Sequence, residues 1–222
     1  MANNRIHSSH AWHPRHTLPL LRGVSHVVGA CVAVPLVIFL LIHARPGPPT
    51  WLALMYGVIV VNLLGVSGLY HVPSWTPETY HRLQRIDHGN IYLMIAGSYT
   101  PIGLNLPPPV GPILLVAVWI ASLLGALESW LWLGMRREIR SSIYIVLGGS
   151  LAGTWSLVLE HCGPSIMVRF LGGGALYIGG AIIYAIRRPD PWPKVFGHHE
   201  IFHLCVLIGA LIHYTAIWDL LT

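Results

Sequence analysis

The sequence predicts an all-α integral membrane protein, a seven-transmembrane helix bundle with its N-terminus in the cytoplasm and its C-terminus outside. Three observations carry that expectation. Of 222 residues, 54% are hydrophobic and only 9% charged, whereas a soluble domain carries about a quarter charged residues. The apolar residues gather into runs of the roughly 20 residues that cross about 30 Å of hydrocarbon as a helix. Basic residues then collect in alternate connectors. The same composition excludes a disordered chain. Three scattered cysteines, Cys31, Cys162 and Cys205, exclude a disulfide framework or a cysteine-rich zinc cage. The net charge of +5 is dispersed between apolar runs and forms no basic face, so no nucleic acid is expected as a partner.

A cytoplasmic tail (residues 1–23) is expected to precede a single transmembrane domain (residues 24–220). The seven spans are expected at residues 24–43, 51–70, 86–104, 110–133, 142–161, 166–186 and 199–220. Gly- and Pro-rich or charged segments punctuate them in order: Arg45-Pro-Gly-Pro-Pro, Pro73-Ser-Trp-Thr-Pro, Pro107-Pro-Pro, Arg136-Arg-Glu, Cys162-Gly-Pro and Arg188-Pro-Asp-Pro-Trp-Pro. The runs are continuous, without the ten-residue alternation of barrel strands. Arg5, Arg15, Arg22, Arg82, Arg85, Arg136, Arg137, Arg140, Arg187, Arg188 and Lys194 fall on one side of this topology, and only Arg45 and Arg169 on the other. That bias sets the orientation. No signal peptide is expected, because the first apolar run is too long and no small-residue cleavage site follows it. Gly149-x-x-x-Gly153 and the Gly172-Gly-Gly to Gly179-Gly pattern are expected to let helices approach closely.

The 14 histidines outnumber all Lys and Arg, and some sit where a charge is expensive. An ionisable group at mid-span costs roughly 2.5–3.5 kcal/mol on insertion scales. His71 closes the second span, Asp87 opens the third, and His199 and His203 open the seventh. The topology puts all of these helix ends on the cytoplasmic side. His199 and His203 are four residues apart and share a helix face, so both can ligate one metal. With His71 they form a three-histidine set with an open fourth position, the pattern of a catalytic zinc site. Asp87 then either accepts a hydrogen bond from water at that position or serves as a fourth ligand. The competing reading makes these histidines polar anchors at the membrane interface.

His199-Glu-Ile-Phe-His203 also spells the metalloprotease pattern, with Glu200 as general base. Glu200 is rotated about 100° from His199 around a helix, so a membrane protease is an alternative reading only.

Taken together, Ser67-Gly-Leu-Tyr-His71, Arg85-Ile-Asp87-His88 through Ala96-Gly-Ser-Tyr-Thr-Pro101, and His199-Glu-Ile-Phe-His203 leading to Gly209-Ala-Leu-Ile-His213 resemble the hemolysin III branch of the progestin and adipoQ receptor (PAQR) family. The resemblance covers essentially the whole chain. It implies a seven-helix bundle, in a bacterial inner membrane, holding zinc through His71, His199 and His203. It also matches Asp87 to the aspartate that holds water at the metal and Ser67 to the serine one turn before the first ligand. His213 has no metal role in that pattern. The wider superfamily includes alkaline ceramidases, so the resemblance implies zinc-dependent hydrolysis of a lipid amide or ester at the cytoplasmic leaflet. Zinc would acidify water and polarise the acyl carbonyl, Asp87 would orient or deprotonate that water, and Ser67 would bind ligand or stabilise the oxyanion. The acyl chain would arrive laterally from the bilayer.

Other readings stand beside the hydrolase: a non-catalytic sensor of membrane lipid state with structural zinc, or a pore suggested by the hemolysin name. Against a pore, the polar span residues Asn62, Glu128, Ser129, Ser156 and His213 form no stripe. Glu128 reads either as a buried carboxylate or as simply interfacial, and His26, which resembles a family position near the first-span start, has no assigned role. His7, His10, His13 and His16 read as a solvated tail at the headgroup layer. Arg82 and Arg85 read as headgroup anchors or as holders of a phosphate-bearing substrate. Substrate and oligomeric state are not legible.

Overall fold

Apolar runs in a bilayer must satisfy their backbone groups internally, which selects helices. A computed structural model describes residues 17–131 and 135–222; the tail histidines His7, His10, His13 and His16 lie outside the described residues. The helices are α1 (Val24–His43), α2 (Pro48–His71), α3 (Pro77–Gly103), α4 (Val110–Leu131), α5 (Arg137–Gly149), α6 (Trp155–Cys162), α7 (Pro164–Ile186) and α8 (His198–Leu221), with a 3-10 turn (Ser150–Thr154) joining α5 to α6. Six segments of the described residues are long and apolar enough to cross a membrane: α1, α2, α4, the stretch Arg137–Cys162, α7 and α8. Their outer faces carry exposed Val28, Ile38, Ile113, Leu124, Val168 and Ile182. This is an all-α, multi-pass membrane bundle.

The third expected span, α3, falls short of that apolarity for a structural reason. It packs against α2, α4, α5 and α8, so it faces protein more than lipid, and Asp87, Asn90, Ser98 and Thr100 are buried along it. Hydrogen bonds replace apolar matching there. The Asn62 amide donates to Asn90 at 2.9 Å and the Trp119 indole to Thr100 at 3.0 Å. The helix also begins at Pro77, earlier than expected at residue 86, because Thr76 caps it and accepts from the Thr79 N–H at 3.3 Å.

The fifth span, expected as one helix, is broken. Gly148, Gly149, Ser150 and Gly153 are poor helix formers, and the chain tightens into the 3-10 turn between α5 and α6. The Tyr99 hydroxyl satisfies backbone groups freed there, donating to the Gly148 carbonyl at 2.6 Å and accepting from the Leu151 N–H at 3.1 Å. The close approach expected at Gly149 and Gly153 is absent, since a Cβ at either would meet nothing within 4 Å. On α7 it is Gly173 and Gly180 that meet α8, while Gly172, Gly174 and Gly179 face open space.

Helix ends alternate between two poles. At one, the Leu20 and Leu21 N–H groups donate to the Lys194 and Val195 carbonyls at 3.0 and 3.1 Å, tying the approach to α1 to the connector before α8. At the other, Arg45 donates to the Leu220 and Leu221 carbonyls that end α8, at 2.5 and 3.3 Å.

Candidate metal centre

The first pole gathers the end of α2, the start of α8 and the first half of α3, and with them the residues singled out in the sequence. His71 is the last residue of α2, and His199 and His203 occupy successive turns of α8. One ligand atom from each of these three lies within 4.8 Å of the others. Their ring centroids are 4.6–4.9 Å apart: 4.7 Å for His71–His199, 4.9 Å for His71–His203 and 4.6 Å for His199–His203. The close packing of α1 on α2 helps to seat His71. Gly23 holds φ 79°, and a Cβ there would come within 2.5 Å of the His71 Cβ.

The residues fit a metal ion. Three imidazoles converge without an intervening carboxylate, and the buried Nδ1 of His203 has no hydrogen-bond partner among the described residues. Neutral imidazole nitrogens are the donors that zinc and similar transition ions favour. Ser67, Asp87 and the three histidines line one cavity of about 70 Å³. The Ser67 hydroxyl faces the Asp87 carboxylate. Asp87 stands outside the three-histidine ligand group itself.

Glu200, second residue of the protease-like pattern, is turned away. One carboxylate oxygen pairs with Arg22, and the other accepts the Gly197 N–H at 2.7 Å, closing the first turn of α8. Glu200 is not among the residues lining the cavity; its carboxylate instead clamps the segment before α1 to α8. Beside it, Asp190 accepts from the His198 N–H and from His198 Nδ1, both at 2.8 Å, and these bonds hold its carboxyl below the usual range. The Arg22 and Glu200 side chains are 12% and 3% exposed. Removing one partner of a buried pair costs about 3–5 kcal/mol, because the other charge is left uncompensated. Arg22→Ala is expected to unfold at a clearly lower midpoint in detergent, with partial recovery when Glu200→Gln is added. Equal midpoints for wild type and R22A would show that the pair contributes nothing.

Several residues in and around the site were given no role by sequence reasoning. His26 of α1 stacks on His203 with centroids 3.9 Å apart and planes 7° apart, and its Nε2 lies 3.2 Å from the His203 carbonyl oxygen. The signal for it existed, since it is a histidine inside an apolar span. Glu128, for which burial and an interfacial place were both open, lies 3.6 Å from Arg140, which is 3% exposed. Arg140 also donates to His88 Nδ1 at 3.1 Å. Asn62 and His213 are likewise not isolated, being bonded to Asn90 and to the Phe170 carbonyl. Only the packing of α3, α4 and α5 brings the Arg140–Glu128–His88 network together, so no local pattern announces it.

A model of the Haemolysin-III related family matches residues 15–214. The chain belongs to the haemolysin III-related family. It is 32% identical over 197 residues to Hemolysin-3 of Bacillus cereus, covering 86% of each chain. It is 30% identical over 196 residues to a Hemolysin-3 homolog of Bacillus subtilis (strain 168), covering 86% of this chain and 88% of that one. The human Monocyte to macrophage differentiation factor is 27% identical over 175 residues, covering 76% and 70% of the two chains. This haemolysin III-related protein is therefore an integral, multi-pass membrane protein with a buried histidine cluster able to hold a metal ion.

Proposed function

We propose that this protein is a zinc-dependent hydrolase of a lipid amide or ester bond, with His71, His199 and His203 holding the zinc ion. The observation that carries the reading is the junction of two cavities. The smaller one contains the three histidines, Asp87 and Ser67. An apolar one of about 360 Å³ adjoins it between α3, the α5–α6 stretch, α7 and α8, and the two share Leu63, Ile91, Tyr144, Ala181, Phe202 and Val206 as walls. A substrate with a cleavable carbonyl at one end of an acyl chain fits that division, carbonyl at the histidines and chain in the apolar chamber. Gly148, Gly149 and Gly174 line the chamber without side chains to fill it, which supports lateral access between α5–α6 and α7.

When bound, zinc on three imidazoles supplies a Lewis acid and lowers the pKa of water to roughly 7. The protein's own part falls to Asp87 and Ser67. The Asp87 carboxylate orients the attacking water, takes its proton and returns it to the leaving nitrogen or oxygen. The Ser67 hydroxyl, beside that carboxylate, helps to orient it. On the topology expected from the basic residues, this occurs at the cytoplasmic leaflet. A pore is less well supported, because Asn62, Glu128 and His213 are turned into side-chain and backbone partners within the bundle.

The test is a product assay. Zinc-loaded protein in lipid nanodiscs is incubated with an N-acyl sphingoid lipid and with an acyl ester, and released fatty acid is quantified by mass spectrometry. Free fatty acid in stoichiometric step with the freed amine or alcohol is expected. Zinc-replete protein that releases no acid from either lipid class would overturn the hydrolase reading in favour of a non-catalytic sensor.

A further inference from the structure

The apolar chamber has a polar corner between α7 and α8. Tyr177 of α7 and His213 of α8 both line it, their rings edge to face with centroids 5.2 Å apart. His213 is 5% exposed. Its Nε2 lies 3.1 Å from the Phe170 carbonyl oxygen, which can only accept, so Nε2 carries the proton and Nδ1 of the neutral ring offers a lone pair. That Nδ1 and the Tyr177 hydroxyl are both buried without a hydrogen-bond partner among the described residues. An unsatisfied buried polar atom is destabilising, and here the two side chains that carry such atoms line a mostly apolar space. The helices also make specific room for these rings. A Cβ at Gly173 would come within 2.3 Å of the His213 ring, and one at Gly209 within 2.8 Å of the Tyr177 ring. Neither group serves the metal centre, since His213 follows His203 by ten residues on α8, about 15 Å along a helix.

We propose that Tyr177 and His213 recognise a hydroxyl group partway along the ligand's acyl chain, so that the chamber selects hydroxylated over plain chains. A hydroxyl satisfies both orphan atoms at once: its proton goes to His213 Nδ1 and its oxygen accepts from Tyr177. A keto group accepts from Tyr177 and leaves Nδ1 unmet, and a methylene meets neither. An extended alkyl chain built of C–C bonds of about 1.5 Å advances roughly 1.3 Å per carbon. It therefore covers the distance from the histidine cluster in about a dozen carbons, which places the hydroxyl near mid-chain. This inference rests on the acyl-chain reading given above, and its test separates the two.

Zinc-loaded full-length protein is titrated with octadecanoic acid and with 12-hydroxyoctadecanoic acid, each displacing a fluorescent fatty acid. The hydroxylated acid is expected to bind about tenfold more tightly, the worth of one or two net hydrogen bonds. Tyr177→Phe removes one oxygen atom and is expected to bring the affinity ratio of the two acids close to one. His213→Leu is expected to do the same, and the Phe variant keeps the test open if the Leu variant does not fold. Equal affinities in the wild type, or a ratio unchanged by Tyr177→Phe, would overturn hydroxyl recognition while leaving the acyl chamber standing. Binding of neither acid would overturn the acyl-chain reading and this inference with it.

Discussion

Alanine at His71, His199 or His203 is expected to strip zinc from the purified protein, lowering affinity by more than about a hundredfold. Changes to groups that merely support metal ligands cost 10–100-fold, and removing one of three nitrogen donors costs more. The geometry sharpens the prediction, because the three residues sit on two helices. His199 and His203 share α8, while His71 ends α2. Loss of any one leaves two donors, and the pair remaining after His71→Ala comes from a single helix. Stoichiometric zinc in the wild type, measured by elemental analysis of dialysed protein, is the reference. His26→Phe is the contrast: it keeps a ring against His203 at the position of the 3.9 Å stack, and is expected to weaken zinc binding without abolishing it. Full zinc retention in His71→Ala would remove that residue from the ligand set. Zinc absent from the wild type would remove the site.

Asp87→Asn is expected to reduce lipid hydrolysis by about 10²–10⁴-fold, the usual contribution of a positioned general base, while leaving zinc content at the wild-type value. The split follows from the arrangement. Asp87 lies in the same cavity as the histidines but outside the ligand group, and its partner is Ser67. Asparagine preserves the volume beside Ser67, yet its amide takes up no proton at neutral pH. Single-turnover assays with zinc analysis on the same sample check both halves. Zinc lost together with activity would make Asp87 a fourth ligand; activity unchanged with zinc retained would take the proton-transfer role away from it.

The positions of the three clustered histidines along the chain were legible because a histidine at a span end has to be explained. His71, His199 and His203 interrupt or terminate apolar runs, and the alternation of the runs assigns their ends to one side. The carboxylate was legible for the same reason. His26 met the same criterion, but its role was invisible, since nothing in α1 says that His203 lies 3.9 Å away. Glu200 was legible as a motif member and misleading as chemistry. Its use is decided by Arg22, a residue far away in sequence whose side chain meets it only after α1 and α8 pack.

The sequence by itself determined the class of protein, the order of its apolar runs, and the placing of three imidazoles and one carboxylate at run ends on one side. Those features follow from burial energy, which acts residue by residue and leaves a periodic record. Tertiary structure alone decided that α3 is tolerably polar because protein surrounds it, and that the fifth run breaks where Tyr99 satisfies its backbone. It alone decided that Gly173 seats His213, while Gly149 seats nothing. Those outcomes depend on which side chain meets which across helices, and pairing between distant segments leaves no pattern in either segment alone.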